Sequence, residues 1–251
     1  MSSIRERRAV FRALHESGCF VLPNPWDGGS AIRLARLGFR ALASTSAGAA
    51  WALGRADGEM TLEEVLCHLR FLVSLTDLPV SADFEAGFAR SAEEVAQNVE
   101  RCIETGVAGI SIEDRLDRAL FPVDEAVRRV HAARDAIDRS GETVLLVARC
   151  EAFWLGMPDL EMTIARLRAY SAAGADCLYA PGIKDLDSIA HLVRSVDKPV
   201  NANLSGTALA VADLARAGVR RVSVGGALAR ATWNAFDGFA QMLWSEGRLP
   251  G

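Results

Sequence analysis

The sequence predicts an α/β protein, a single (β/α)8 barrel of the TIM type with an N-terminal helix, over residues 1–251. Short apolar, β-branched segments alternate with longer segments of helical periodicity along the whole chain, as expected of repeated βα units around a parallel sheet. No Pro- or Ser-rich linker, low-complexity tract or charge block offers a position for a domain boundary. With 251 residues, 50% of them hydrophobic, the chain can bury one large core.

The elements follow one another regularly. Residues Met1 to Arg8 lead into an amphipathic helix and contain no apolar segment of a signal peptide. Eight predicted strands come next: Phe20 to Leu22, Ala41 to Ser44, Pro79 to Phe84, Gly109 to Glu113, Val144 to Arg149, Cys177 to Ala180, Pro199 to Asn203 and Arg221 to Val224.

Local signals mark the ends of the predicted helices. Thr61 and Ser91 each lie three residues before a glutamate, the spacing of a capping box at a helix start. Glycines then end several helices just before the next strand, at positions 38, 106, 174 and 218. Both kinds of signal support the alternation of helices and strands.

Composition excludes two function classes. The net charge of −4, with both signs interspersed and no basic run, argues against a nucleic-acid surface. No apolar run reaches the ~18 residues of a membrane span. The five cysteines are widely separated and form no CxxC pair. We therefore expect a soluble, cytoplasmic protein whose cysteines are all small core residues.

A barrel of this kind brings the residues just past each strand to one mouth. Those residues are almost uniformly polar: Asn24, Trp26, Asp27, Ser44, Thr45, Ser46, Asp83, Glu85, Glu113, Asp114, Arg149, Glu151, Lys184, Asn201, Asn203, Ser205, Ser223, Gly225 and Gly226. A doubly wound open sheet is the alternative fold, but no glycine-rich fingerprint follows the first strand.

The segment Ser81 to Phe88 is the most informative part of this mouth. A buried strand there runs directly into Asp83 and Glu85, which alternation along a strand would place on one face, about 6 to 7 Å apart. Two carboxylates at that spacing repel each other unless a cation lies between them. A metal site explains the pair, and a solvated acidic loop is the alternative.

Several motifs, in this order, resemble the isocitrate lyase and phosphoenolpyruvate mutase superfamily from roughly Pro23 to Gly226. They are Ser44-Thr-Ser-Ala-Gly48, Leu53-Gly-Arg-Ala-Asp57, Ala82-Asp-Phe-Glu-Ala-Gly87, Ser111-Ile-Glu-Asp114, Val147-Ala-Arg-Cys-Glu-Ala-Phe153 and Ala169-Tyr-Ser-Ala-Ala-Gly-Ala-Asp176. The resemblance implies that Asp83 is a direct Mg²⁺ ligand, whereas Asp57, Glu85 and Glu113 hold waters of the metal. It also implies a homo-oligomer, a dimer or tetramer, because superfamily members commonly exchange a C-terminal helix.

The same resemblance assigns the substrate contacts. Ser44, Thr45 and Ser46 would cradle the oxo-acid end of the substrate, and Arg149 would meet its carboxylate or enolate oxygen. Four carboxylates on separate loops suit Mg²⁺ or Mn²⁺, whereas zinc is not expected because all four histidines fall in predicted helices.

Each of these roles has a simpler alternative. Arg149 could be a structural partner of Glu113 or Glu151. The hydroxyls of Ser44 to Ser46 could satisfy local backbone groups. Asn203 and Ser205 could orient substrate oxygens or cap a loop. Residues 225–226 resemble a barrel phosphate site, and a tight turn explains them equally well.

Departures from the superfamily bear on the reaction. The lyases carry a Lys/Arg-Cys-Gly-His segment soon after the carboxylate that Glu113 matches, and its cysteine is the general acid. Here residues 115–122 contain no cysteine, and the Lys-Asn pair of the phosphonate-processing members is also absent. Ala180-Pro181-Gly182 replaces a glutamate of other members, and Cys150 is expected to pack in the core.

The expected function is a Mg²⁺-dependent lyase that acts on a small 2-oxo acid through an enolate, as in oxaloacetate decarboxylation or carbon–carbon cleavage. Such a reaction needs a metal, an arginine and an oxyanion turn, and solvent can protonate the enolate. The alternatives are phosphoenolpyruvate mutase or phosphonopyruvate hydrolase chemistry, with Asp57 beside the phosphorus, and a weakly catalytic barrel that binds oxo acids.

Overall fold

The computed structural model describes residues 2–206 and 208–249 and contains one eight-stranded parallel sheet. The strands of this sheet are β1 (Phe20–Leu22), β2 (Leu42–Ala43), β3 (Val80–Asp83), β4 (Gly109–Glu113), β7 (Leu145–Arg149), β8 (Cys177–Tyr179), β9 (Val200–Asn203) and β10 (Arg221–Ser223). They are hydrogen-bonded in the order β1-β10-β9-β8-β7-β4-β3-β2.

In this order the strands of the sheet follow one another as they do along the chain, and the order never reverses. The sheet is therefore that of a barrel and has no topological switch point. The two end strands also meet: the Ala43 amide donates to the Pro23 carbonyl at 3.1 Å. All eight predicted strands are therefore confirmed, each within one residue at either end. The doubly wound alternative is wrong.

Ten helices surround or close the sheet in the described residues. They are α1 (Ile4–Leu14), α2 (Gly28–Arg36), α3 (Ser46–Ala52), α4 (Leu62–Ser74), α5 (Ala92–Ile103), α6 (Val123–Ser140), α7 (Leu160–Ala172), α8 (Leu186–Ser195), α9 (Val211–Arg216) and α10 (Ala227–Glu246). The predicted N-terminal helix and the Thr61–Glu64 capping box are confirmed. At Ser91 the box is incomplete, since the Glu94 carboxylate accepts from the Arg90 amide.

The core has two layers, which follow from the alternation of side chains along each strand. Inward-facing apolar residues of the strands pack on Phe11 and Leu14 of α1, so this helix closes the amino-terminal end of the barrel. Gly109 makes this contact possible, because a Cβ there would lie 2.6 Å from the Phe11 ring. Outward-facing residues pack against the helical layer.

A short antiparallel hairpin, not predicted from the sequence, follows β4. It pairs β5 (Arg115–Leu116) with β6 (Ala119–Leu120) through a two-residue turn. Asp117 in this turn has φ of 53°, a conformation that aspartate tolerates better than most residues. The hairpin occupies the segment where the lyases of the superfamily carry their acid.

Among residues 2–206 and 208–249, every helix is too short or too polar to cross a membrane.

Candidate active site

A polar cleft opens at the carboxyl ends of the barrel strands, and each of the eight strands, or in β1 the loop directly after it, contributes to its lining. Nine of the ten predicted site residues line it: Ser44, Thr45, Ser46, Asp57, Asp83, Glu113, Arg149, Asn203 and Ser205. Glu85 lies behind this lining. The predicted residues are thus brought together by the fold, and their roles stay predictions.

Arg149, at the end of β7, is surrounded by three carboxylates. Its Nη1 lies 2.6 Å from Asp83 Oδ1, its Nη2 3.2 Å from Glu113 Oε2, and its Nε 2.9 Å from Glu151 Oε1. Burial opposes the charged form, but the charges of Glu151, Glu113 and Asp83 raise the pKa of Arg149 well above its ordinary value. Arg149 is therefore always charged and shares that charge with all three partners.

Arg115 adds a second guanidinium that the sequence analysis missed. Its Nε lies 3.1 Å from Glu113 Oε1 and 3.6 Å from Glu151 Oε2. The hairpin that follows β4 positions this side chain over the two buried carboxylates. Its place two residues after Glu113 was the available signal, since alternation along an extended segment puts both on one face.

The turn after β2 organises Asp83. The Ser46 amide and Oγ both donate to Asp83 Oδ2, at 3.0 and 2.9 Å, and the Asp83 amide donates to Ser44 Oγ at 2.8 Å. Thr45 caps α3, because its Oγ1 accepts from the Gly48 amide. The hydroxyls of Ser44 and Thr45 thus satisfy local backbone groups, as the alternative interpretation expected, and the hydroxyl of Ser46 orients the Asp83 carboxylate.

Glu85 reaches the acidic cluster by a different route from the expected one. Strand β3 ends at Asp83, and Glu85 has φ of 45°, so the strand alternation that was to align the two carboxylates does not extend to it. Burial and then the charges of Asp83 and Asp57 raise the pKa of Glu85 to about 7. Its Oε1 is buried and has no hydrogen-bond partner.

The other carboxylates show the same excess of negative charge. Burial and the charge of Asp83 raise the pKa of Asp57, which lies near Ser46. Burial also raises the pKa of Glu113 well above its ordinary value, although Arg149 acts in the opposite direction. A cation placed among these groups would be favourable.

The residues fit a cation that keeps most of its water. Within residues 2–206 and 208–249, no three His, Cys, Asp or Glu side chains come close enough to ligate one ion together. Asp57, Asp83 and Glu113 line the cleft, and the charges of Asp57 and Asp83 act on the buried Glu85. Mg²⁺ is commonly held in this manner, by one or two carboxylates and several waters.

The β8 and β9 side of the cleft contains an ordered amide. Asn203 Nδ2 donates to the Tyr179 hydroxyl at 3.0 Å, and Asn203 Oδ1 accepts from the Ser205 amide at 2.7 Å. The second bond is the predicted loop cap. Tyr179 was missed, although it lies two residues after Cys177 on a strand whose odd positions face inward.

The glycine turn after β10 acts mainly as a turn. Asn24 Oδ1 accepts from the Val224 and Gly225 amides at 3.0 and 2.9 Å, so these donors are already used. Gly225 has φ of 51°, and a Cβ on Gly226 would lie 2.8 Å from Trp51. The structure thus favours the tight turn over the phosphate site.

The thiols lie away from this chemistry. Cys150 is fully buried against the helical layer, as predicted, and burial raises its pKa to about 12. Cys102 and Cys177 are also buried. The prediction that every cysteine is a core residue was wrong for two of the five. Cys67 is exposed on α4, and Cys19 is only partly buried.

We expect Glu85 to make the metal-free protein less stable as the pH rises. Its folded pKa of about 7 exceeds the ordinary 4.5, so the folded state holds the proton more tightly than the unfolded chain. Stability from this group is present below pH 4.5 and is lost as the pH passes about 7. In Glu85→Gln, the loss between pH 5 and pH 8, measured by urea unfolding in chelator, should be smaller by up to about 3 kcal/mol.

The exposed substitution Glu16→Gln, which changes the net charge equally, is the control. An unchanged pH dependence in Glu85→Gln would show that this carboxyl is not the titrating group.

Comparisons with known proteins agree with the fold. The family model described as phosphoenolpyruvate phosphomutase matches residues 11–243. The chain is 32% identical to 2-methylisocitrate lyase of Escherichia coli K12, over 70% of this chain and 62% of that protein. It is 31% identical to oxaloacetate decarboxylase of Pseudomonas putida GB-1, over 88% of this chain and 79% of that protein.

A solved structure from Burkholderia cenocepacia J2315, which carries a provisional lyase/mutase designation, is also similar. It is 45% identical, with a TM-score of 0.95, and the match covers 98% of this chain and 91% of that one. The chain therefore belongs to the phosphoenolpyruvate phosphomutase family, within the superfamily of isocitrate lyase and phosphoenolpyruvate mutase.

Proposed function

We propose that this protein is a divalent-metal-dependent lyase that cleaves a small 2-oxo acid, with decarboxylation of an oxaloacetate-like substrate as the simplest reaction. The observation that supports this most is the charge of the cleft. Five carboxylates (Asp57, Asp83, Glu85, Glu113 and Glu151) surround two paired arginines (Arg115 and Arg149), and the pKa values of Asp57, Glu85 and Glu113 are raised.

Asp83 would hold Mg²⁺ or Mn²⁺ directly, and Asp57, Glu85 and Glu113 would hold its waters. When bound, the ion would act as a Lewis acid that draws electron density from the 2-oxo group. Ser46 holds the Asp83 carboxylate in place through two hydrogen bonds, and Ser44 holds the Asp83 backbone amide.

Arg149 would stabilise the enolate oxygen as the bond to the leaving carbon breaks. It already contacts Asp83 through Nη1, so an oxygen beside Asp83 lies within reach of the same guanidinium. Thr45 and Ser46 would enclose the oxo-acid end of the substrate, while Asn203 and Ser205 would orient other substrate oxygens. These positions are fixed before substrate binds, which is the condition for strong electrostatic stabilisation.

Protonation would come from solvent. The hairpin after β4 brings Arg115 to the carboxylates and carries no thiol, and Cys150 faces the helices. An enolate formed by decarboxylation can accept a proton from water, so this reaction needs no dedicated acid.

Phosphorus–carbon chemistry is the second candidate. The family model that matches most of the chain is the phosphomutase one, and Asp57 lies at the cleft wall 3.4 Å from Ser46 Oγ. A nucleophilic or metal-binding carboxylate at that position would serve a phosphonate substrate as well.

The test is a set of substrates with Mg²⁺ or Mn²⁺: oxaloacetate, phosphonopyruvate, phosphoenolpyruvate, 2-methylisocitrate and isocitrate. Pyruvate and CO₂ from oxaloacetate are the expected products. Phosphate or phosphoenolpyruvate from phosphonopyruvate would support the second candidate. Thermal stabilisation by oxalate, an enolate mimic, without any turnover would instead indicate a binding protein.

We also propose that the protein is a homo-oligomer, a dimer or tetramer, assembled through α10. Of its 20 residues only Ala229 is buried, and Phe236, Phe239 and Trp244 are 60%, 49% and 88% exposed. A helix this long with so many exposed aromatic side chains is typical of an interaction surface. A second copy of the chain is the partner implied by the family.

The double substitution Phe236→Asp with Phe239→Asp should therefore convert the oligomer into monomers, because buried charges oppose association. Light scattering after gel filtration measures the mass, and Asn234→Asp on the same helix is the control. A wild-type monomer, or a double variant of unchanged mass, would contradict the proposal.

A further inference from the structure

A buried arginine in the cleft lacks a counter-charge. Arg221 begins β10 and is 4% exposed, and its side chain faces the barrel interior between Phe20 and Asn201, its register partners. Its Nε donates to Asn201 Oδ1 at 3.0 Å. Its Nη1 is buried without a hydrogen-bond partner, and no carboxylate of the described residues lies within 4 Å.

The other two buried arginines of the described chain, Arg8 and Arg129, each have a carboxylate partner. Arg8 donates to two backbone carbonyls and to Glu142. Arg129 donates to three backbone carbonyls and to Glu125. A buried guanidinium without an anion is strongly unfavourable, so its retention at Arg221 needs an explanation outside the chain's own carboxylates.

Arg221 faces the same cleft as the candidate metal site. It lines that cleft together with Asp83 and Arg149. Burial lowers the pKa of Arg221, and the charges of Asp83 and Arg149 act on the same pKa, so the groups are electrostatic neighbours. The cleft thus presents both the acidic cluster and this guanidinium to a bound ligand.

The surroundings of Arg221 are suited to an oxyanion. Asn201 Nδ2 donates to Ser223 Oγ at 3.0 Å, and the Ser223 hydroxyl is in turn hydrogen-bonded to the Tyr179 hydroxyl, so the groups beside Arg221 are neutral and polar. Ser81 Oγ, fully buried on β3, the strand that carries Asp83, also lacks a hydrogen-bond partner. Unpaired donors are thus present on two walls of the cleft, on β3 and on β10.

The remaining cations of the cleft do not compete for this role. Arg149 and Arg115 are paired with carboxylates. Arg230 lies at the mouth, stacks on Trp51 at 4.8 Å and is exposed, so water solvates its charge.

We propose that Arg221 binds the second anionic group of the substrate, a carboxylate or phosphonate on the carbon beyond the oxo group. This inference rests on the proposed function and adds a specificity determinant to it. A planar guanidinium can contact two oxygens of such a group at once. The enzyme would accordingly select doubly anionic 2-oxo acids over singly charged ones.

The contact has a distinct kinetic consequence in decarboxylation. As the bond between carbons 3 and 4 breaks, its electron pair moves to carbon 3 and the oxo oxygen, and neutral CO₂ leaves before solvent protonates the enolate. The carboxylate therefore loses its charge on the way to the transition state. Arg221 should stabilise the bound substrate more than the transition state, and so set KM rather than kcat.

Two substitutions test this. Arg221→Met removes the charge and keeps the aliphatic stem, whereas Asn201→Asp supplies an internal carboxylate beside Arg221 Nε. Both should raise KM for oxaloacetate by about tenfold or more, with kcat unchanged or higher. Oxalate is the internal control, because its two carboxylates mimic the 1-carboxylate and the enolate oxygen and leave no further anionic group for Arg221. Its Mg²⁺-dependent Kd by calorimetry should stay within about twofold.

A comparison of phosphonopyruvate with oxaloacetate shows whether Arg221 binds a phosphonate or a carboxylate. A greater loss of affinity for it than for oxaloacetate in both variants identifies a phosphonate ligand, and the reverse identifies a carboxylate. Melting temperatures report folding, and Asn201→Asp still tests the inference if Arg221→Met does not fold.

Unchanged KM and phosphonopyruvate affinity in Asn201→Asp would overturn the role of Arg221 while leaving the metal site intact. An equal loss for oxalate and oxaloacetate would also overturn it, because that pattern indicates general damage to the site. Absence of Mg²⁺-dependent oxalate binding in the wild-type protein would overturn the proposed function itself, and this inference with it.

Discussion

Replacing Asp83 with alanine should lower kcat/KM by at least about a thousandfold, since the proposed direct metal ligand is lost. The cost is expected in activity rather than in folding. The charge of Asp83 repels Glu85 and Asp57, whose pKa values it raises, but it also pairs with Arg149. These opposing effects should leave the melting temperature within a few degrees of wild type.

Steady-state kinetics measure the loss of activity, and Mg²⁺ titration by calorimetry measures the loss of metal binding. Asp124→Ala, an exposed carboxylate on α6 that contacts Arg128, is the matched control and should behave as wild type. Chelator should likewise abolish activity, and Zn²⁺ should not restore it. Full turnover in Asp83→Ala or in metal-stripped protein would remove the metal from the proposed mechanism.

Replacing Arg149 with lysine should lower kcat/KM by roughly two to four orders of magnitude. Lysine keeps the positive charge but cannot contact Asp83, Glu113 and Glu151 while also presenting a donor to the substrate. The lost donor should matter most in the transition state, where negative charge develops on the enolate oxygen. Oxalate affinity should therefore fall more than affinity for the ground-state substrate.

Arg115→Lys is the comparison, because Arg115 contacts two of the same carboxylates from a more exposed position. It should lower kcat/KM by less than Arg149→Lys. If Arg149→Lys instead keeps normal turnover and oxalate affinity while its melting temperature falls, Arg149 is a structural partner of the carboxylates, and its catalytic assignment is wrong.

Much of the barrel could be predicted because its signals are local. Strands such as Gly109–Glu113 are short apolar runs between helix-ending glycines and polar loops. The hairpin at Arg115–Leu120 could not be predicted, because two-residue strands carry no periodicity and depend on a turn at Asp117. Its packing over Glu113 and Glu151 is a tertiary effect.

Some features of the site could likewise be predicted from the sequence, and others could not. The position of a residue just past a strand is enough to bring it to the barrel mouth, so Asp83, Glu113, Arg149 and Asn203 were found from their spacing alone. The way in which Glu85 approaches Asp83 could not be predicted. It depends on the left-handed backbone conformation of Glu85, which leaves no signal in the sequence periodicity.

By itself, then, the sequence determined the βα order, the polar mouth and the family motifs, since each depends on residue type and spacing along the chain. Only the tertiary structure decided how the charges are paired. Arg149 meets three carboxylates from different strands, whereas Arg221, which is just as deeply enclosed, meets none. Such pairing depends on side-chain directions across the barrel, and distances between strands are not encoded in any local pattern.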